Sequence, residues 1–167
     1  IMKNIGSVKE DLSKEKRISV TPDIIKKFID LNFSVFIEKN YGEHLGIKDE
    51  EYKKKGANLC SSAKEVFEKS EILLKVNCPS KEEINLFKNK SILIGQFDHA
   101  LDKEIINLLI QKGIIIFSLS LLPRIARAQT MDVLSSQANL AGYRAVIESV
   151  NEFDKAVPMM MTAAGTV

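Results

Sequence analysis

Residues 91–117, SILIGQFDHALDKEIINLLIQKGIIIF, decide the fold. They open on the apolar run Ser91-Ile92-Leu93-Ile94 and continue into a helix read over Asp102 to Lys112, with Ile105, Leu108 and Leu109 turned inward. Gly113 stops that helix, and Ile114-Ile115-Ile116-Phe117 follows. Continuous apolar strands joined by an amphipathic helix are the pattern of a parallel sheet, whose strands are buried front and back.

The same alternation extends toward the N-terminus. Ile72-Leu73-Leu74-Lys75-Val76 reads as a buried strand stopped by Pro79, Phe33-Ser34-Val35-Phe36-Ile37 as a β-rich run, and residues 3–8 as a short opening strand. Between them, Thr21 and Pro22 predict a helix start, with Ile24, Ile25, Phe28 and Ile29 as its apolar stripe and Asn32 closing it. Asp49 is expected to cap a short charged helix ending at Gly56. The spacings Ser62 to Glu65 and Ser80 to Glu83 predict two capping boxes. The longest helical pattern runs from Thr130 to about Phe153. Five strands are thus expected, in an α/β fold with a Rossmann-like parallel sheet and helices on both faces. Its ligand edge would be formed by the loops after residues 37, 76, 94 and 117.

Composition narrows the function. The chain of 167 residues is 45% hydrophobic and 28% charged, which fits a folded globular protein. A net charge of +2 lacks the basic footprint of a nucleic-acid binder, so no nucleic-acid partner is expected. Residues 1–90 hold 18 basic and 15 acidic side chains, whereas 91–167 hold 6 and 7, so the second part is the more apolar. Lys, Asp or Arg interrupts every candidate for a membrane span of roughly 20 apolar residues, and no signal core follows the start. A cytoplasmic chain is expected. Cys60 and Cys78 have neither C-x-x-C spacing nor enough histidine, with only His44 and His99, to predict zinc or a disulfide.

The chain uses Lys 20 times and Arg 4 times, so Arg17, Arg124, Arg127 and Arg144 depart from its habit. Arginine offers a planar fork for carboxylate or phosphate, which lysine does not. Three of them fall in or just beyond Pro123-Arg124-Ile125-Ala126-Arg127-Ala128-Gln129-Thr130-Met131-Asp132-Val133-Leu134-Ser135-Ser136, between an apolar strand and the long helix. Polar groups there are placed for an anion or an amide, and Gln129 is both donor and acceptor, as a carboxamide demands. The alternative is an ordinary capped helix facing water. Lys75, at the end of a buried run, either reaches solvent or faces an anionic ligand. His99 beside Asp98 is a candidate acid or base. The eight glycines contain no G-x-G-x-x-G, so no dinucleotide fingerprint is present.

Together, Lys9-Glu10, Glu15-Lys16-Arg17-Ile18-Ser19-Val20-Thr21-Pro22, Leu74-Lys75-Val76-Asn77-Cys78-Pro79, the stretch 123–136 and Asn139-Leu140-Ala141-Gly142-Tyr143-Arg144-Ala145 resemble the alanine dehydrogenase/transhydrogenase N-terminal domain family. The stretch 123–136 is similar to the branch formed by the alpha subunit of proton-translocating NAD(P) transhydrogenase. The resemblance implies an N-terminal domain over 1–130, then a long linking helix and the start of a truncated NAD-binding domain over 131–167, leading toward a missing dinucleotide-binding domain. It implies hydride transfer between NAD(H) and NADP(H), the latter on a partner domain. NADP-binding and membrane-spanning subunits would couple that transfer to proton movement. The chain would sit on the cytoplasmic side of the inner membrane, in a homodimer.

Of the residues, the resemblance implies that Arg124 contacts the pyrophosphate or ribose region, that Gln129, Asp132 and Ser135 orient the nicotinamide, and that Tyr143 abuts the same site. In the alanine dehydrogenase branch the equivalents of Arg17 and Lys75 hold a substrate carboxylate and a histidine is catalytic. Here His99 is displaced by one or two positions from that place. An alanine dehydrogenase-like oxidoreductase and a non-catalytic α/β module are the competing expectations.

Overall fold

A computed structural model of the chain describes residues 4–98, 103–155, 161–162 and 165–166. In chain order the elements are β1 (Asn4–Ser7), α1 (Pro22–Asp30), β2 (Ser34–Glu38), α2 (Asp49–Lys54), β3 (Asn58–Cys60), α3 (Ala63–Lys69), β4 (Ile72–Leu74), α4 (Lys81–Leu86), β5 (Ile92–Gly95), α5 (Lys103–Gln111), β6 (Ile115–Ser118) and α6 (Val133–Asn151). The chain divides into two compact units, Ile1–Leu122 and Pro123–Val167. The second holds a 3-10 turn at Ala126–Met131, α6, and an antiparallel pair of two-residue strands, β7 (Met161–Thr162) and β8 (Gly165–Thr166).

The first unit is a six-stranded sheet in the order β3-β2-β1-β4-β5-β6, with every pairing parallel. This is the α/β, Rossmann-like arrangement expected from the alternating pattern, with one strand more. β3 carries only Asn58-Leu59-Cys60, too short and too polar to register as a periodic run, and pairs along β2 at the edge.

Several helix starts differ from their sequence reading. Thr21 precedes α1 in an extended conformation, but its hydroxyl makes no capping bond. At α2 the cap position falls on Lys48 rather than Asp49, whose carboxylate instead accepts from the Asn40 amide at 2.9 and 3.1 Å. At α3 the Ser62 hydroxyl caps, but Glu65 turns to the amide and hydroxyl of Ser61. Bonds from Lys69 and Ser61 hold that carboxyl down to about 2. Of the two boxes expected, only the one at α4 forms in full, with reciprocal bonds between Ser80 and Glu83 at 3.2 and 2.8 Å. α6 starts after Asp132, because Thr130 is taken up in the 3-10 turn.

Strand register sorts the core into two layers. Val35, Ile37, Leu59 and Leu74 share the face against which α1 and α2 pack Ile25 and Tyr52. Val8, Cys60, Leu73 and Leu93 share the other, covered by Val66 and Phe67 of α3, Ile84 of α4 and Leu109 of α5. This division follows from right-handed crossovers: strands stepping one way from β1 place their helices on one face, and strands stepping the other way place theirs opposite.

Where β4 and β5 end, the backbones come very close. A Cβ on Gly95 would lie 2.3 Å from the Lys75 carbonyl oxygen and 2.5 Å from the Phe97 ring. That carbonyl belongs to backbone and cannot swing aside. Gly95→Ala is expected to destabilise the chain by about 2–3 kcal/mol, as overpacking does, read as a lower urea midpoint at unchanged slope.

Candidate functional site

In the strand order, β1 has β2 on one side and β4 on the other, so the loops leaving β1 and β4 part in opposite directions. Open parallel sheets bind ligands at such a switch point, beyond the strand carboxyl ends. Two of the sequence-derived candidates, Arg17 and Lys75, lie in these loops.

Lys75 is 5% exposed. Its Nζ lies 2.7 Å from Glu83 Oε1 and 3.6 Å from Glu10 Oε2. Of the two outcomes expected for this cation, neither holds: it reaches neither solvent nor an open anion site, but two carboxylates of its own chain. Glu10 does a second job, since its Oε1 accepts the Val76 amide at 2.6 Å and ties the loop after β1 to the end of β4. Burial pushes the Glu10 carboxyl above its ordinary range, against the pull of Lys75 and the Val76 amide, with the negative Glu83 adding to the rise. Arg17 grips Glu15 through Nε at 2.9 Å and Nη2 at 2.7 Å, and its field also reaches Glu10.

Beneath these charges lies a buried knot of hydroxyls that sequence reading misses. Ser7 Oγ donates to the Leu74 carbonyl at 2.8 Å and lies 2.8 Å from the Tyr41 hydroxyl. Tyr41 in turn accepts the Ser19 amide at 2.9 Å and the Val20 amide at 3.3 Å. A serine inside a fully buried strand is the available signal. The knot fixes the segment that carries Arg17 against both β1 and β4. Nearby, His44 Nε2 lies 2.7 Å from the Lys16 carbonyl oxygen and holds the same segment from outside.

The other candidates lie in the second unit. Asp132 stands at the N-cap of α6: one oxygen accepts the Ser135 amide at 3.0 Å and the other the Ser135 hydroxyl at 2.5 Å. These bonds, with a contribution from Arg124, hold the Asp132 carboxyl below the usual range. Its amide bonds to the Gln129 carbonyl at 3.3 Å, which closes the 3-10 turn onto the helix. Arg124, Gln129 and Ser135 are exposed around this turn. Because the Ser135 proton points to Asp132, the Ser135 oxygen can only accept from a group that approaches it. Tyr143 is 70% exposed. It stands eleven residues beyond Asp132, which is about 16 Å along a helix axis, so the two are not brought together. His99 lies outside the described residues.

Known proteins give these positions a context. Residues 6–141 match the family described as alanine dehydrogenase/PNT, N-terminal domain. The chain is 38% identical over 168 residues to the first of the separate polypeptides that make up NAD(P) transhydrogenase subunit alpha in Rhodospirillum rubrum, covering 98% of this chain and 44% of that protein. The crystal structure of a transhydrogenase from Sinorhizobium meliloti superposes with a TM-score of 0.88 at 41% identity, over 99% of this chain and 49% of that one. An alanine dehydrogenase of Methanococcus maripaludis is 37% identical over 110 residues, covering 66% of this chain and 30% of that protein. The chain therefore spans about half the length, or less, of these relatives.

Two stability measurements test the switch-point geometry. Tyr41→Phe leaves two backbone amides and two serine hydroxyls short of a buried partner and is expected to cost about 1–3 kcal/mol in denaturant unfolding. Glu10→Gln keeps an oxygen for the Val76 amide, removes a buried negative charge, and leaves Lys75 with Glu83. A carboxyl whose folded value is raised contributes stability below its ordinary value, 4.5, and loses it as pH climbs through the folded value. The glutamine variant should therefore have the higher Tm at pH 7, with the gap closing toward pH 4. A lower Tm at pH 7 would mean that attraction to Lys75 outweighs burial.

Proposed function

The chain belongs to the alanine dehydrogenase/PNT N-terminal domain family, and on that premise we propose that it is the nucleotide-facing part of a transhydrogenase alpha subunit, serving hydride transfer between NAD(H) and NADP(H). The observation that carries this reading is the turn of residues 124–135, where Arg124, Gln129, Asp132 and Ser135 form one exposed polar cluster at the start of α6. The transhydrogenase likeness runs over nearly the whole chain, whereas the alanine dehydrogenase likeness covers a smaller share.

The donor set fits a nicotinamide dinucleotide. Arg124 supplies a fork for pyrophosphate or ribose oxygens. Gln129 has the donor and acceptor that a carboxamide needs, and Ser135, its proton committed to Asp132, accepts from the amide N–H of that group. Asp132 positions both, through the serine bond and through the turn it closes. When bound, the dinucleotide supplies the hydride chemistry itself. The residues of the turn hold it in place and keep water away, which is the larger part of what such a transfer asks of a protein.

Tyr143 is assigned to the same surface further along α6. Residues 131–167 are assigned to a linking helix and the start of an NAD-binding domain. The partners in this reading are NADP-binding and membrane-spanning subunits that couple transfer to proton movement, with a second alpha subunit forming a homodimer. The chain would lie on the cytoplasmic side of the inner membrane. Among the described residues no helix is long and apolar enough to cross a membrane.

Asp132→Asn tests the role of the turn, because asparagine caps a helix as well as aspartate but lacks its charge. In the complete enzyme it should slow hydride transfer by roughly tenfold or more while weakening NADH binding much less. Equal losses in both would remove ring placement from Asp132. Oxidation of L-alanine with NAD by the purified complete subunit, without a membrane partner, would favour the alanine dehydrogenase reading instead.

A further inference from the structure

The two faces of the sheet are not equally furnished. α1 and α2 serve the face of β1, β2 and β3 that carries Val35 and Ile37, while α3, α4 and α5 all lie on the opposite face. Register places Ile72, Ile92 and Ile115 in one row, and Leu74, Ile94 and Phe117 in the next, on the α1 side of the β4-β5-β6 half. Within the unit Ile1–Leu122 no described helix packs on these six side chains. Exposure grows toward the edge, reaching 49% at Ile115 and 55% at Phe117.

Crossovers from β4 to β5 and from β5 to β6 are right-handed, so both put their helices on the other face, and no connection inside this stretch can supply the missing layer. Parallel sheets occur with both faces covered. Six large apolar side chains with no polar member among them form a surface meant for permanent burial rather than a surface that opens and closes in water.

We propose that this half-face is the seat of one amphipathic helix contributed by the part of the subunit that the relatives have beyond the matched region. Three strands at about 4.8 Å spacing span about 10 Å, the width of a single helix laid along them. The chain for such a helix exists in the relatives, since this sequence accounts for 44% of the Rhodospirillum rubrum protein and 49% of the Sinorhizobium meliloti chain. A second copy fits less well, because it would have to lay an identical bare parallel sheet against this one, and parallel sheets are covered by helices. The inference rests on family membership and not on the hydride reaction, so no activity enters its test.

Hydroxyl-radical footprinting with mass spectrometry, applied to the complete subunit, reads the side chain of Phe117 without altering it. Oxidation of Phe117 should be slowed at least several-fold in the complete subunit relative to the 167-residue chain, and equally at high and low protein concentration. Equal oxidation in both proteins would mean a bare face and overturn the proposal. Protection that fades on dilution would assign the face to a second copy and overturn it equally. As a second measurement, Phe117→Glu should lower the Tm of the complete subunit by roughly 5 °C or more with its mass in solution unchanged. An unchanged Tm, or a fall in mass, counts against the helix.

Discussion

All six strands of the first unit run in the same direction, so the chain must cross a face of the sheet between each pair, and each crossing is right-handed. That constraint sets most of what else is seen. It segregates α1 and α2 from α3, α4 and α5, divides the core into two clusters, and collects the strand carboxyl ends on one edge. Because the strand order reverses at β1, it also opens a crevice between the loops after β1 and β4, where Lys75 and Arg17 are found. The uncovered half-face beside β6 is the same constraint seen from the other side: a series of crossings of one hand leaves half of one face without a layer.

The two groups of candidate residues differ in electrostatics, and the difference bears on their roles. In the crevice each cation already has its carboxylate, Lys75 with Glu10 and Glu83 and Arg17 with Glu15, and Lys75 is almost wholly withdrawn from water. Such pairs fix geometry, and breaking one leaves a buried charge uncompensated. On the turn before α6 the polar groups stand in solvent, and the bond from Ser135 to Asp132 is the internal commitment among them. A cluster of that kind retains donors and acceptors for something brought to it. The crevice works as a scaffold and the turn as a contact surface.

Much of this is legible in the residues. Apolar runs mark five of the six strands and their parallel sense, and the spacing of Asp132 and Ser135 anticipates that the two meet. β3 escapes because three residues, one of them asparagine, leave no period to detect, and its place is set by pairing with β2. The expected caps at Thr21 and Asp49 do not form because a good capping residue is only an opportunity: Asp49 finds a better donor in the Asn40 amide across the turn. The surroundings of Lys75 are beyond reach for another reason. Glu83 lies near it in sequence and Glu10 does not, and only the folded sheet brings both to one ammonium group. The hydroxyl knot of Ser7, Ser19 and Tyr41 is distributed over three segments in the same way.

The bond from the Val76 amide to Glu10 joins positions 66 residues apart, and that from Ser7 to the Leu74 carbonyl joins positions 67 apart. Helical turns form in a microsecond or less, whereas contacts of such separation wait for long segments of chain to close. During synthesis β1 leaves the ribosome with only one of its two neighbours to follow soon, and its other flank stays open until β4 has been made. The crevice is thus among the last parts of the unit to take shape, and the order of assembly runs from the β2 side of the sheet toward β6.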